Sequence, residues 1–507
     1  MMNYLIGVDI GTQGTKANLY DLEGRVLSSS FEASNLISPK TGEVYQEADE
    51  IFTSVINTIR EVVARSGVSA ADIAAVGMDS QMAGIMGIGK DFEAVTYYDS
   101  WLDTKCGKYI TEIKNRANTR SVELNGAPVT YTHGPKILWW KNERPEVYNK
   151  IHKFVLPHVF VAGKLCGLKA QDAVIDYTCI HFSGFADNLK KQWSGELLET
   201  FDVTADKLPE IVEPWKIIGK LKKEYAAACG LMEGVPIVAG CGDSAATCLG
   251  AGIVKPGEVF DVAGTASILS CCVDTYKPDT KHEALMLMRS VVDGLWMPLA
   301  YINGGGMCLK WYKDSIVGAD CEVDYQTLER EAVGIAPGSA GLIFLPHFAG
   351  RVCPNNPDVR GSFIGLNWAH KRGHLYRAIM EGIAYEYKYY LDVLKDIGID
   401  TQISRVFGMG GGAKSSLFNQ IKADVLGLKY VPIKNVDTAP LGSAIVAGYG
   451  IGVYDNIVKT AESFKITGAE ITENRDAHQS YIPYSQAYLE SFSALKTIFH
   501  ALGGKEE

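Results

Sequence analysis

Asp9, Thr12, Gln13, Thr15 and Lys16 crowd into the octapeptide Asp9-Ile10-Gly11-Thr12-Gln13-Gly14-Thr15-Lys16, set between the apolar run Tyr4 to Val8 and a second strand-like run, Ala17 to Tyr20. Strand, glycine-rich turn and strand together predict a phosphate cradle. Glycines let backbone N–H groups approach phosphate oxygens, threonine hydroxyls add donors, Lys16 adds a positive charge, and Asp9 suits a hydrated Mg²⁺. Such a turn points to ATP. An ordinary β-hairpin has the same composition, so the surrounding sequence must decide.

A second glycine-rich loop, Gly408-Met409-Gly410-Gly411-Gly412-Ala413-Lys414-Ser415-Ser416, follows a strand-like run, Ile403 to Phe407, and opens a helix through Leu426. It also satisfies the dinucleotide pattern GxGxxA. That pattern calls for an acidic residue about twenty positions on, after the next strand. Here the strand Lys429 to Pro432 is followed by Lys434, which argues against a dehydrogenase. Gly84 to Lys90 reads GxxxxGK, yet Asp91 stands where a Walker loop needs Ser or Thr for Mg²⁺.

The elements that must position these residues follow from periodicity. Tyr4 to Asp9, Lys16 to Asp21 and Arg25 to Phe31 read as antiparallel strands. Asp49 is placed to cap a helix whose stripe is Phe52, Val55, Ile56, Ile59, Val62 and Val63, with Gly67 ending it, and Ile73 to Met78 returns as a buried strand. Three strands, helix, strand is the start of a ribonuclease-H-like layer. The order returns after Ile253: Glu258 to Val262 and Ala266 to Val273 flank Ala263-Gly264-Thr265, a hairpin turns at Asp293-Gly294, and Met307 to Asp314 opens a helix. The expected fold is therefore α/β: two ribonuclease-H-like domains, 1–250 and 251–507, with a cleft between them and both Gly-Thr turns on one nucleotide.

Bulk composition narrows the partners. The 507 residues are 47% hydrophobic and 21% charged with a net charge of −10, which fits a multidomain protein acting on small molecules and not on nucleic acid. Eleven cysteines without a CxxC pair, among them Cys166, Cys241, Cys248 and Cys308, read as reduced interior thiols. The start shows no charged-then-apolar leader, so a cytoplasmic location is expected. Val235 to Val254, the longest apolar stretch, holds Asp243 and four glycines, so no membrane span is expected.

The chain resembles the FGGY carbohydrate kinases, within the wider sugar kinase, chaperone and actin superfamily, over essentially its whole length. The first phosphate loop carries part of the likeness. Gly361-Ser362-Phe363-Ile364-Gly365-Leu366, then seven residues to His374-Leu375, then Ala378-Ile379-Met380-Glu381, matches the family's C-terminal signature. Pro135 to Glu143 resembles the N-terminal signature with altered spacing before Lys136. The helix after the C-terminal signature should bury Leu375, Ile379, Ile383, Leu391 and Leu394.

The resemblance implies residue roles. Asp243, in Ala239-Gly240-Cys241-Gly242-Asp243-Ser244-Ala245-Ala246, matches the catalytic aspartate, the general base that takes the alcohol proton; a helix-capping aspartate is the alternative reading. At its ordinary pKa it would be a weak base, leaving most of the catalysis to positioning. Asp9, with Asp243, would organise Mg²⁺. Thr12, Gln13, Thr15 and Lys16 would contact the phosphates of ATP, with Gly264 and Thr265 from the second lobe. Gly410, Gly411 and Gly412 would lie against adenosine, Ser415 and Gln420 would reach ribose or base, and Gly304 would help form the opposite wall, although each glycine also suits a plain turn. Gln81, Met82, Trp101 and Asp103 would line the sugar pocket. Ser80-Gln81-Met82-Ala83 stands where xylulose kinases carry Gln-Met-His, so Ala83 lacks one polar contact. A ketose such as xylulose leads as acceptor, with gluconate, erythritol or another polyol next, and a non-catalytic ATP-binding module is the rival class. The resemblance allows a homodimer.

Overall fold

Three strands and a helix open the chain as the alternation of apolar residues requires. The computed structural model describes residues 4–264, 266–318, 323–399 and 402–503. The strands are Tyr4–Ile10, Gly14–Asp21 and Val26–Ala33. The helix Ala48–Ser66 turns Ile51, Phe52, Val55, Ile59, Val62 and Val63 into the core, and Gly67 ends it at φ 69°. Asp49 departs from expectation. Glu47 holds the cap position without a side-chain bond, and Asp49 lies in the first turn, where its charge favours the helix dipole.

The chain divides into two compact units, and neither is a single contiguous segment. The first holds the residues up to Val254 together with Leu287–Trp296 and Asn435–Lys465; the second holds Lys255–Met286, Met297–Lys434 and the residues from Ile466 on. A division at residue 250 therefore leaves out the two segments that return to the first unit.

In the first unit the sheet order is Ile217–Lys220, Pro236–Val238, Ile73–Ser80, Tyr4–Ile10, Gly14–Asp21, Val26–Ala33, and Cys241–Gly242 also pairs with Ile73–Ser80. Tyr4–Ile10 runs parallel to Ile73–Ser80 with Asp9 opposite Asp79, and antiparallel to Gly14–Asp21 with Asp9 opposite Lys16. On the face of the sheet opposite the Ala48–Ser66 helix lies the helix Thr438–Gly450, buried at every residue from Ala439 to Gly448. It approaches so closely that a Cβ on Gly7 would lie 1.8 Å from the Pro440 carbonyl oxygen, and one on Gly77 2.0 Å from that of Ser443.

The second unit repeats the pattern. Trp296–Ile302, Ser267–Cys271, Glu258–Ala263, Arg405–Met409 and Lys429–Pro432 lie side by side in that order, the last two pairings parallel. The signature helix Arg372–Asp396 buries Ile379, Ile383 and Leu394, while Leu375 and Leu391 are half-buried. Inside the unit, fully buried Lys422 holds Asp261 at 2.6 Å, and the Tyr430 hydroxyl donates to the same carboxylate at 2.7 Å. All ten described cysteines are buried and free. No helix among the described residues is long and apolar enough to cross a membrane.

Candidate active site

Two parallel strands ending side by side put carboxylates next to each other. Asp9 and Asp79 are register partners near their C-terminal ends, and Cys241 pairs with Asp79 from the other side, so the next turn delivers Asp243 to the same place. Burial raises the Asp9 carboxyl to about 6; a hydrogen bond with Asp79 and the Lys16 charge pull it down, and Asp437 pushes it up. Asp79 is raised well above the carboxylate range by burial and then by Asp9 and Asp243. Its Oδ2 accepts from the Ser443 hydroxyl at 2.6 Å.

Asp243 is half-buried at the first position of the helix Asp243–Gly250. Desolvation, then the Asp9 charge, raises its carboxyl to about 7 against the pull of the Ser244 amide and hydroxyl. A base near neutrality is what proton abstraction from an alcohol at physiological pH favours. The expectation of an ordinary, weak aspartate therefore changes, and burial is the reason. The capping reading does not describe this residue either: Gly242 is the cap, and Asp243 Oδ1 accepts from the adjacent Ser244 amide at 2.6 Å, whereas a cap holds an amide two or three residues on.

Around this cluster the phosphate loop and sugar loop share hydrogen bonds. The Trp101 indole N–H donates to Thr12 Oγ1 at 2.8 Å, Thr12 Oγ1 donates to Gln81 Oε1 at 3.1 Å, and Gln81 Nε2 donates to Gln46 Oε1 at 2.6 Å. The Gln81 amide donates to the Ile10 carbonyl at 3.2 Å. Met82 covers Gly242: a Cβ there would lie 2.5 Å from Met82 Cε. Thr12, Gln81, Met82 and Trp101 are thus brought together beside Asp9 and Asp243. Gln13 is exposed at the tip of the loop.

Three first-unit expectations need correction, those for Thr15, Gly14 and Asp103. Thr15 is buried with its hydroxyl 2.6 Å from that of Ser54, because strand alternation sends it to the face opposite Lys16. Lys16 faces the cluster but is ion-paired with Asp437. Gly14 serves packing, since a Cβ would lie 2.4 Å from both the Glu32 carbonyl oxygen and the Phe31 ring. Asp103 does not offer its carboxylate to a ligand. It is fully buried and accepts from the Val44 amide at 3.0 Å and from Lys105 Nζ at 3.2 Å, which ties down the loop that presents Trp101.

In the second unit the glycine turns gather on one hairpin. Gly264 N–H donates to the Ala266 carbonyl at 3.0 Å, while Thr265 lies outside the described residues. Gly410, at φ 77°, and Gly412 pack on Ala263, where added Cβ atoms would sit 2.9 Å from its oxygen and 2.5 Å from its Cβ. Gly304 precedes the helix Gly305–Trp311, and Gly411 is exposed with open space about it. Ser415 caps the helix Ser416–Leu426 by accepting from the Phe418 amide at 3.1 Å. Gln420 lies further along, donating to Asp424 at 2.8 Å, and lines a cavity of 340 Å³ with Ser416, Ile335, Pro337 and Arg377. Ser415 and Gln420 are thus already engaged by the protein.

The donor set around Asp9 suits Mg²⁺ in one way only. Among the described residues no three His, Cys, Asp or Glu side chains converge as a metal cage. Mg²⁺ bound to nucleotide needs just one or two carboxylates and keeps its waters. Asp9 and Asp243 supply that number, and a cation would relieve the cost of burying both charges.

A twisted parallel-and-antiparallel sheet in each unit, with carboxylates at the strand ends of the first, is the frame of an actin-like phosphotransferase. Residues 4–250 match the FGGY family of carbohydrate kinases, N-terminal domain, and residues 262–451 match its C-terminal domain, so the chain belongs to this family and is a carbohydrate kinase. It is similar to the gluconokinase of Bacillus subtilis, 29% identical over 90% of this chain and 89% of that kinase. The xylulose kinase of the same organism is 26% identical over 99% of both chains. The crystal structure of ligand-bound xylulose kinase from Lactobacillus acidophilus superposes with a TM-score of 0.91 at 25% identity, covering 98% of this chain and 99% of that one.

Asp79, Gln46, Asp437 and Ser443 also stand at this cluster, and none of them was among the expected residues. Asp79-Ser80 directly ends an apolar strand, a signal available in the sequence; the other three answer to contacts between segments far apart in the chain.

Proposed function

We propose that the chain transfers the γ-phosphoryl group of ATP to a hydroxyl of an open-chain sugar, with D-xylulose or a related ketose as the leading acceptor. The observation that supports it is the Asp243 carboxyl, held near neutral pKa beside the joined Thr12–Gln81–Trp101 network. Asp243 takes the proton of the attacking hydroxyl as the new P–O bond forms and the bond to the leaving oxygen of ADP breaks. The Gly11–Gln13 turn orients the phosphates, with the Thr12 hydroxyl fixed by Trp101 and Gln81. Lys16 exchanges part of its pairing with Asp437 for phosphate oxygen. Asp9 would hold Mg²⁺ through its waters, and the ion would supply charge neutralisation when bound. Gly410–Gly412 and Gly304 receive the nucleoside.

Gluconate is the second acceptor reading, favoured by the gluconokinase relative and by Ala83, which removes a side-chain donor from the expected ketose pocket. The test is ADP release from Mg-ATP with D-xylulose, other ketoses, D-gluconate and erythritol. Acceleration by one compound, reduced about 10²- to 10⁴-fold in Asp243→Asn with ATP binding retained, is expected. Near-normal turnover in that variant removes Asp243 from the base role, and ATP binding with no acceleration by any compound favours the binding-module class.

A further inference from the structure

Behind the base lies a second polar chain, closed off from solvent. The Gly242 amide donates to Thr178 Oγ1 at 3.0 Å. That hydroxyl in turn donates to Asp176 Oδ1, which also accepts from the Thr178 amide at 2.8 Å. Asp176 Oδ2 faces His158 Nε2 at 3.3 Å, and His158 Nδ1 is 2.7 Å from the Ser80 hydroxyl. Ser80 is the register partner of Gly242 on the adjoining strand, so the residues come round in a ring whose Asp176–His158 step is a close approach and not a hydrogen bond. Ser80, His158, Asp176 and Thr178 are all at 0% exposure.

The residue types are those of an acyl-transfer triad, but no substrate reaches a serine that is wholly buried at the end of its strand. The ring's geometry points elsewhere. Gly240, at φ 85°, turns the chain directly over His158, where an added Cβ would lie 3.0 Å from His158 Cδ2. The chain then makes its two-residue pairing with the sheet and turns into the Asp243 helix. Because the Thr178 proton is directed to Asp176, its lone pairs are left facing the Gly242 amide, and the carboxylate polarises the hydroxyl into a better acceptor.

We propose that Thr178, backed by Asp176 and His158, is a positioning residue that fixes the Asp243 carboxylate for proton abstraction by anchoring the peptide immediately before it. The inference rests on Asp243 being the base. The Gly242 amide is one residue from the group that reacts, so a small shift there is carried straight to the carboxylate. A misplacement of about 1 Å in a reacting group costs up to about 100-fold in rate.

The test is a double-mutant cycle, with Mg-ATP and whichever of D-xylulose or D-gluconate the protein phosphorylates. Thr178→Val keeps the shape and removes the hydroxyl; its kcat should fall about 10- to 100-fold while both KM values stay within about twofold. Thr178→Ser, which restores the hydroxyl, should recover most of the loss. In the Asp243→Asn background the same Thr178→Val change should cost less than about threefold, because the tether acts through the carboxylate that is gone. Equal losses in both backgrounds, a loss confined to KM, or unchanged kcat in a folded Thr178→Val protein overturns the proposal. Should Thr178→Val fail to show a cooperative melt, His158→Gln at the far side of the ring is read the same way and decides. Asp243→Asn on its own reports on the base: near-normal turnover there removes base and tether together, whereas a deep loss with additive Thr178→Val removes the tether alone.

Discussion

Asp243 has to ionise where ionisation is costly, and this shapes two pH profiles of opposite sense. As a base it works above its raised pKa, so kcat should climb between pH 5.5 and 8 with a midpoint near 7, and the residual rate of Asp243→Asn should lose that rise. For stability the sign reverses. A carboxyl raised from 3.8 to about 7 by folding binds its proton more tightly in the native state, so its contribution is full at low pH and is lost as pH climbs through about 7. Melting of the ligand-free protein across that range should show the decline, and Asp243→Asn should make it shallower. Trp101 gives a third residue-scale outcome: Trp101→Phe, which loses the donor to Thr12, should raise the acceptor KM more than the ATP KM, and equal effects would detach Trp101 from acceptor binding. Asp9, Thr12, Gln81, Trp101 and Asp243 were legible because each stands at a strand end or glycine turn. Thr15 and Asp103 misled because side-chain direction depends on strand parity and on what the next segment buries.

At the scale of elements, the helix Thr438–Gly450 does more for the site than any motif announced. It carries Ser443 to Asp79 and follows Asp437, which holds Lys16. Its seat is made of glycines: Gly7 and Gly77 on the sheet, and Gly442 against the Asp243–Gly250 helix, where a Cβ would lie 2.0 Å from the Ala246 carbonyl oxygen. Gly77→Ala should therefore destabilise the protein by about 1–3 kcal/mol or more through overpacking, read as a lower midpoint in urea. A midpoint equal to that of the parent would mean that the helix can shift without cost. The strands were readable from alternation, and Lys429–Pro432 was placed to the residue. The Thr438 helix was not: a segment apolar on every side declares that it is buried without declaring against what.

The whole molecule is threaded so that the chain passes from one unit to the other five times, at residues 254, 286, 296, 434 and 465. Two repeated layers could be read from the echo between the first and second halves. The returning segments could not, because nothing local marks a helix that belongs to strands more than 350 residues before it. A fragment ending at Val254 would expose the sheet face around Gly7 and Gly77 and lose the Ser443 partner of Asp79. It should show no cooperative thermal transition by circular dichroism, whereas a sharp transition would make the first 254 residues self-sufficient.

The burial of every described cysteine has a use beyond packing. Burial pushes the thiols of Cys179 and Cys241 well above the usual range, so these two present neither a thiolate nor an open path to an alkylating reagent. Modification at a given cysteine must wait for its surroundings to open, which turns the set into clocks distributed through the interior. Cys241 sits two residues before Asp243, and its labelling rate times the opening of the turn that carries the base. A bound nucleotide or acceptor that closes this turn should slow that one clock more than that of Cys353, which belongs to the second unit.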